Sequence, residues 1–157
     1  MASEEQKQVQ VLADIEAIKR LQYHYVNSLV QTNWKEILGC FAENGSVDIG
    51  EGSEGENLIT GKEEIRKLFE EGVAISHVGQ EGIFVVHPEI DVDGDTATGT
   101  WLSYFFHIRS RGKEPLLNWM QGFYNCKYVR ENGKWKFGIL SWRARLKYKG
   151  PEMQVMA

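Results

Sequence analysis

The chain has 157 residues, of which 42% are hydrophobic and 25% charged, a size and balance that suit one hydrophobic core and exclude global disorder. A formal net charge of -4 speaks against nucleic acid or an anionic membrane as a partner, since both demand a concentrated basic surface. Cys40 and Cys126 form no CxxC pair or Cys/His cluster, and Met1 to Gln10 has no signal-peptide pattern, so free thiols in the cytoplasm are expected, with no zinc site and no membrane span.

The chain is read as one domain over 1–157, with 1–10 a flexible N-terminus and 149–157 a C-terminal tail. From Val11 to Val30, the residues Leu12, Ile15, Ile18, Leu21, Tyr25 and Leu29 recur at helical spacing and predict an amphipathic helix. A second helix is expected over Trp34 to Phe41, with Thr32 or Asn33 as its N-cap and Asn44-Gly45 as its stop. Ser46 to Ile49 reads as a short strand. Gly50 to Thr60 is rich in glycine and glutamate with almost nothing to bury, so it reads as an exposed loop, either a pocket flap or a tolerated insertion. A third helix is expected over Lys62 to Gly72, burying Ile65, Leu68 and Phe69 and opening on a Thr60 to Glu63 capping box.

After Ser76 the period becomes that of strands. Gly82 to Val86 and Glu89 to Val92 lead into Asp93-Gly94-Asp95, a hairpin signal. Strands are expected over Thr96 to Ile108, Leu117 to Arg130 and Lys134 to Tyr148, with turns at Arg109 to Pro115 and at Glu131-Asn132-Gly133. Helices followed by hairpin-linked strands predict an α+β fold: a strongly curved, mainly antiparallel sheet with three N-terminal helices packed into a cone that encloses a pocket. Five Trp and seven Phe supply the bulk to fill that core, or in part to line the pocket.

Particular segments carry a resemblance: Asp14 to Leu21 leading to Tyr25, Trp34, Gly61 to Ile65, Ser76-His77-Val78, Asp93 to Gly99 with Trp101, Gly122 to Tyr124 with Tyr128, and Asn132 to Trp135. In these the chain resembles the SnoaL-like group of the nuclear-transport-factor-like, cystatin-like superfamily, which includes polyketide cyclases, scytalone dehydratase, lindane dehydrochlorinase and the bile-acid dehydratase. The resemblance spans roughly Asp14 to Tyr148. It implies a homo-oligomer, a dimer or trimer; no cofactor is expected, since the sequence carries no metal or nucleotide motif. It also implies a His acting as general base, an Asp on the first helix that orients it, and a Tyr that polarises the substrate. The His falls on His77 and the Tyr on Tyr25, whereas the Asp position holds Val30.

A histidine suits such a base because its pKa lies near the working pH, and a carboxylate partner fixes its tautomer. With Val30 in place of that carboxylate, Asp48 on the first strand is the nearest substitute by topology. His87 is the alternative histidine, although Pro88 beside it favours a strand edge. Strand alternation separates Trp101, Ser103 and Phe105 from Leu102, Tyr104 and Phe106, and Asn118, Met120 and Tyr124 from Trp119, Gln121, Phe123 and Asn125. Trp101, Tyr104, Trp119 and Phe123 are candidate walls for a substrate, and Arg143 is a candidate partner for an acidic group on it.

Two functions follow from this reading. One is a cofactor-free lyase, isomerase or cyclase that moves a proton on a small hydrophobic carbonyl or hydroxy compound. The other is a non-catalytic ligand-binding or interaction module of the same fold, favoured by Val30.

Overall fold

The computed structural model describes residues 1–50, 52–76, 81–111 and 114–150. Helix α1, Glu4–Val30, starts seven residues before the apolar spacing begins, because Ser3 and Gln6 form a reciprocal capping box at its N-terminus. Its first ten residues are exposed, and it turns inward from Asp14, burying Ile18, Gln22, Tyr25, Val26 and Leu29. Helix α2, Trp34–Gly39, is capped by Asn33, whose side chain accepts the Glu36 amide.

Strand β1, Phe41–Gly50, begins five residues before the expected Ser46. Phe41 pairs with Phe137, and the Phe137 amide donates to the Cys40 carbonyl at 2.8 Å. This long-range pairing overrides the helical spacing of Trp34 to Phe41. Strand β2, Ile59–Thr60, is short and precedes helix α3, Lys62–Lys67, which continues through a π-helical turn at Leu68–Val73 to Ala74–Ser76. The expected capping box at Thr60 does not form. The N-cap is Gly61, at φ 95°, and the Thr60 hydroxyl instead bonds that of Ser46 at 2.7 Å. The π turn delivers Phe69 into the core, against Tyr25, Trp34 and Phe41.

Four long strands follow: β3, Glu81–Asp93; β4, Thr96–Arg111; β5, Glu114–Glu131; and β6, Lys134–Gly150. With β1 and β2 they form one curved, open sheet in the order β2-β1-β6-β5-β4-β3. Every pair is antiparallel except β1 with β6. The β5-β6 hairpin turns at Asn132 and Gly133, both at positive φ as a tight hairpin requires. β4 and β5 each run further than expected into the segment read as a turn, with Arg111 opposite Glu114.

The helices cover one face of the sheet, and the core lies between them. Tyr25 of α1 meets Phe41, Phe69, Tyr124 and Phe137 edge-on, with ring centres 5.4 to 6.3 Å apart. Edge-to-face contacts of this kind add to the burial of each ring. Asp14 clamps α1 to the far hairpin. It accepts the Trp135 indole N–H at 3.0 Å and the Arg130 guanidinium at 2.9 Å, and Arg130 lies over the Trp135 ring.

Candidate functional site

Strand alternation decides which side chains share a face, and the register of β1, β4, β5 and β6 assigns them. On the helix-covered face, Val47 pairs with Leu140, Trp101 with Tyr124, and Tyr124 with Trp142. Ser103 lies beside them. Its hydroxyl donates to the Gly122 carbonyl at 3.1 Å and accepts the Trp142 indole N–H at 2.9 Å. Deeper in the core, the Trp101 indole donates to the Tyr128 hydroxyl at 2.9 Å, and that hydroxyl donates to Gln22 Oε1 at 3.1 Å.

Tyr25 joins this face from α1. It is buried, and its ring meets that of Tyr124 edge-on at 6.2 Å. Burial is the main cause that pushes both phenols well above the usual tyrosine range. Both therefore stay protonated, so the pair offers O–H donors and never a phenolate. Burial likewise raises the thiol of Cys126 to about 12, and that of Cys40 to about 12, so neither is a nucleophile at neutral pH.

Asp48 is not on this face. It alternates with Val47 and Ile49 and lies on the open side of the sheet, opposite Ser141. Both its oxygens are engaged: Oδ1 by Arg143 at 2.7 Å and the Asn57 amide at 3.2 Å, Oδ2 by the Gly55 amide at 2.6 Å and Ser141 at 3.4 Å. Burial raises the Asp48 carboxyl, but the hydrogen bonds and charge of Arg143 and the two amides outweigh it and hold it below the usual carboxylate range. Asp48 and Tyr25 are thus not brought together. The two buried carboxylates among the described residues, Asp14 and Asp48, are both held by arginines.

Arg143 is correspondingly occupied. Besides Asp48, it donates to the carbonyls of Gly52, Ser53, Asp48 and Trp142 at 2.8 to 3.1 Å, so its fork ties down the loop after β1 rather than waiting for an acidic ligand. Of the candidate walls, Trp101 is fully buried in the core, while Tyr104, Trp119 and Phe123 are half-buried on the open face. Tyr104 accepts the Gln121 amide at 3.2 Å and meets the Trp119 ring at 5.9 Å. The candidate walls therefore do not form one site.

His77 lies outside the described residues. His87 is exposed at φ 51° in a bulge of the edge strand β3, between Val86 and Glu89, as the neighbouring Pro88 suggested. Val30 ends α1, half-buried. Reasoning from sequence missed Tyr124, Ser103 and Trp142 as the polar members of the helix-covered face. Their parity with Trp101 across the paired strands was the signal that could have found them. No three His, Cys, Asp or Glu side chains among the described residues gather into a group able to hold a metal ion.

Residues 10–140 match the model of the SnoaL-like domain. The chain belongs to the SnoaL-like domain family. No curated protein matches it. Among solved structures it is similar to a provisionally named scytalone dehydratase from Novosphingobium aromaticivorans, at 22% identity and TM-score 0.77 over 96% of this chain and 94% of that one. It is also similar to the hexachlorocyclohexane dehydrochlorinase LinA-type3 of Novosphingobium barchaimii, at 16% identity and TM-score 0.78 over 96% and 99%. An NTF2-like protein with a cystatin-like fold from Novosphingobium aromaticivorans aligns at 18% identity and TM-score 0.68, over 92% of each chain. At these identities the likeness shows a shared fold, and function must be argued from the site. No helix among the described residues is long and apolar enough to cross a membrane.

Proposed function

We propose that this SnoaL-like protein is a cofactor-free lyase or isomerase that moves a proton on a small hydrophobic carbonyl or hydroxy compound held between α1 and the helix-covered face of the sheet. The observation that carries this reading is the SnoaL-like domain over residues 10–140, on a fold shared with proteins named for two eliminations, a dehydratase and a dehydrochlorinase. In such a step a base takes the proton beside a carbonyl or leaving group, the C–H electrons form the new double bond, and hydroxide leaves as water once protonated. His77 is the base in this reading. The Tyr25–Tyr124 pair supplies a neutral O–H donor to the substrate oxygen, and burial keeps it protonated. Asp48 has no part, being turned to the other face and fully bonded.

Incubation in D2O with β-hydroxy ketones of graded size tests this by NMR. The protein should catalyse deuterium uptake beside the carbonyl, and His77→Ala should slow it by about 10²-fold or more. Exchange no faster than in buffer for every ketone, or full exchange by His77→Ala, would overturn it.

A second reading has its own support. Val30 puts an isopropyl group at the end of α1, and both buried carboxylates among the described residues are committed to arginines. A module that binds such a compound without changing it fits these facts. Recovery of the ligand unaltered after prolonged binding, together with exchange activity appearing only in Val30→Asp, would establish it over the enzyme.

A further inference from the structure

We infer a second binding site on the open face of the sheet, beneath the loop after β1, for a neutral, hydroxyl-rich molecule of monosaccharide size. A cavity of about 300 Å³ lies there, at the lower end of the range for small-molecule sites. The sheet separates it from the helix-covered face.

The floor of this cavity departs from the rest of the open face. Toward the β4-β5 hairpin that face carries Tyr104, Trp119 and Phe123, whereas here two cross-strand rows hold shorter and more polar side chains. One row is Thr98, Lys127 and Ile139, and the other is Thr100, Asn125 and Ser141. Their size opens the cavity.

The roof is held with unusual care for a loop that buries so little. Residues 52–58 are all exposed, so apolar burial does little to offset the backbone entropy lost on ordering them. What holds them is the Asp48–Arg143 pair. Asp48 accepts the Gly55 and Asn57 amides, and Arg143 donates to the Gly52 and Ser53 carbonyls. This clamp sets Glu54 and Leu58 over the floor.

The lining selects the ligand class. Lys127 and Glu54 carry opposite charges, and Asp48 is neutralised by Arg143, so the cavity favours no net charge. Thr100 donates to Asn125 Oδ1, which leaves the Asn125 amide N–H groups to donate outward. Ser141 donates to Asp48, which leaves its oxygen to accept. Donors and acceptors therefore alternate over a short distance, and hydroxyl groups, which serve as both, match them best. Leu58 and Ile139 offer apolar surface for the C–H side of a sugar ring.

Titration with D-glucose, D-galactose and D-ribose, with lactate and inorganic phosphate as anionic controls, tests the site by amide chemical shifts. The expected result is saturable shifts from at least one sugar at Thr98, Thr100, Asn125 and Lys127, with a Kd in the millimolar range and about tenfold weaker binding in Asn125→Leu and Thr100→Val. Both positions are exposed, and an unchanged melting temperature confirms that the variants fold. The absence of saturable shifts with all three sugars overturns the inference. So does equal binding by the folded variants, or tighter binding of lactate or phosphate than of any sugar.

Discussion

Asp48 and Arg143 lie 2.7 Å apart on adjacent strands, and together they hold the loop after β1 against the open face of the sheet. Asp48 is almost wholly buried, so removing it leaves the arginine charge without its counter-ion. Asp48→Ala should lower stability by about 3 kcal/mol, the usual result of breaking one side of a buried pair. It should also make residues 52–58 the first site cut in limited proteolysis. Denaturant melts and cleavage mapping check both, and a neutral Asp48→Ala would show that the loop is held by other contacts.

The same pair predicts how stability depends on acid. Asp48 and Asp14 both have folded-state pKa values below the ordinary carboxylate range. For Asp14, burial raises the value, but the bonds from Trp135, Arg130 and Gln10 and the charge of Arg130 outweigh it. The unfolded chain therefore binds more protons than the folded one as pH falls below about 4. The stabilisation from both groups is complete above that point and is lost as pH drops through the lowered folded values. Urea midpoints from pH 7 to pH 3 should fall steeply at the acid end, and Asp48→Asn should flatten that fall.

Much of the fold was legible because its signals are local. Hydrophobic spacing marks α1, Asn33 caps α2, and the Asp93-Gly94-Asp95 and Asn132-Gly133 signals coincide with the hairpin turns, Gly94-Asp95 and Asn132-Gly133. Other features depend on partners distant in sequence. Phe41 enters a strand because Phe137 lies beside it, and Thr60 leaves its capping role because Ser46 takes its hydroxyl. Asp48 shows the limit of topology alone. Its place on the first strand was read correctly, but Val47 and Ile49 take the helix-covered face, so alternation turns Asp48 away from it. Arg143 was legible as a guanidinium fork, and its occupant was not, because the loop carbonyls it binds lie about 90 residues earlier in the chain.

Tyr128 sits at the centre of a buried chain, accepting from Trp101 and donating to Gln22. Tyr128→Phe strands the Trp101 indole N–H and leaves Gln22 Oε1 only the weak Cys126 thiol, and should cost about 2 kcal/mol. Gln22 already has an unpartnered Nε2, so Gln22→Met removes an orphan group as well as an acceptor and should cost less. Thermal melts of the two variants rank them. Equal losses would mean that Gln22 Nε2 has a partner in solution.

Gly122 sets how closely β5 and β6 approach at the bulge where the register shifts between Gln121 and Gly122. A Cβ at this position would stand 2.2 Å from the Arg143 carbonyl oxygen, and that oxygen belongs to backbone that cannot rotate away. The carbonyl of Gly122 also accepts from Ser103, which in turn accepts from Trp142. Gly122→Ala must therefore push the two strands apart, at a cost of about 1–3 kcal/mol. The same movement should weaken the Ser103 contact and rotate Trp142, so the loss of stability should come with a shift in tryptophan fluorescence. Ser103→Ala, which removes the contact without moving backbone, should reproduce the fluorescence change with a smaller loss of stability. A stable Gly122→Ala with unchanged fluorescence would mean that the strands lie further apart in solution than this geometry has them.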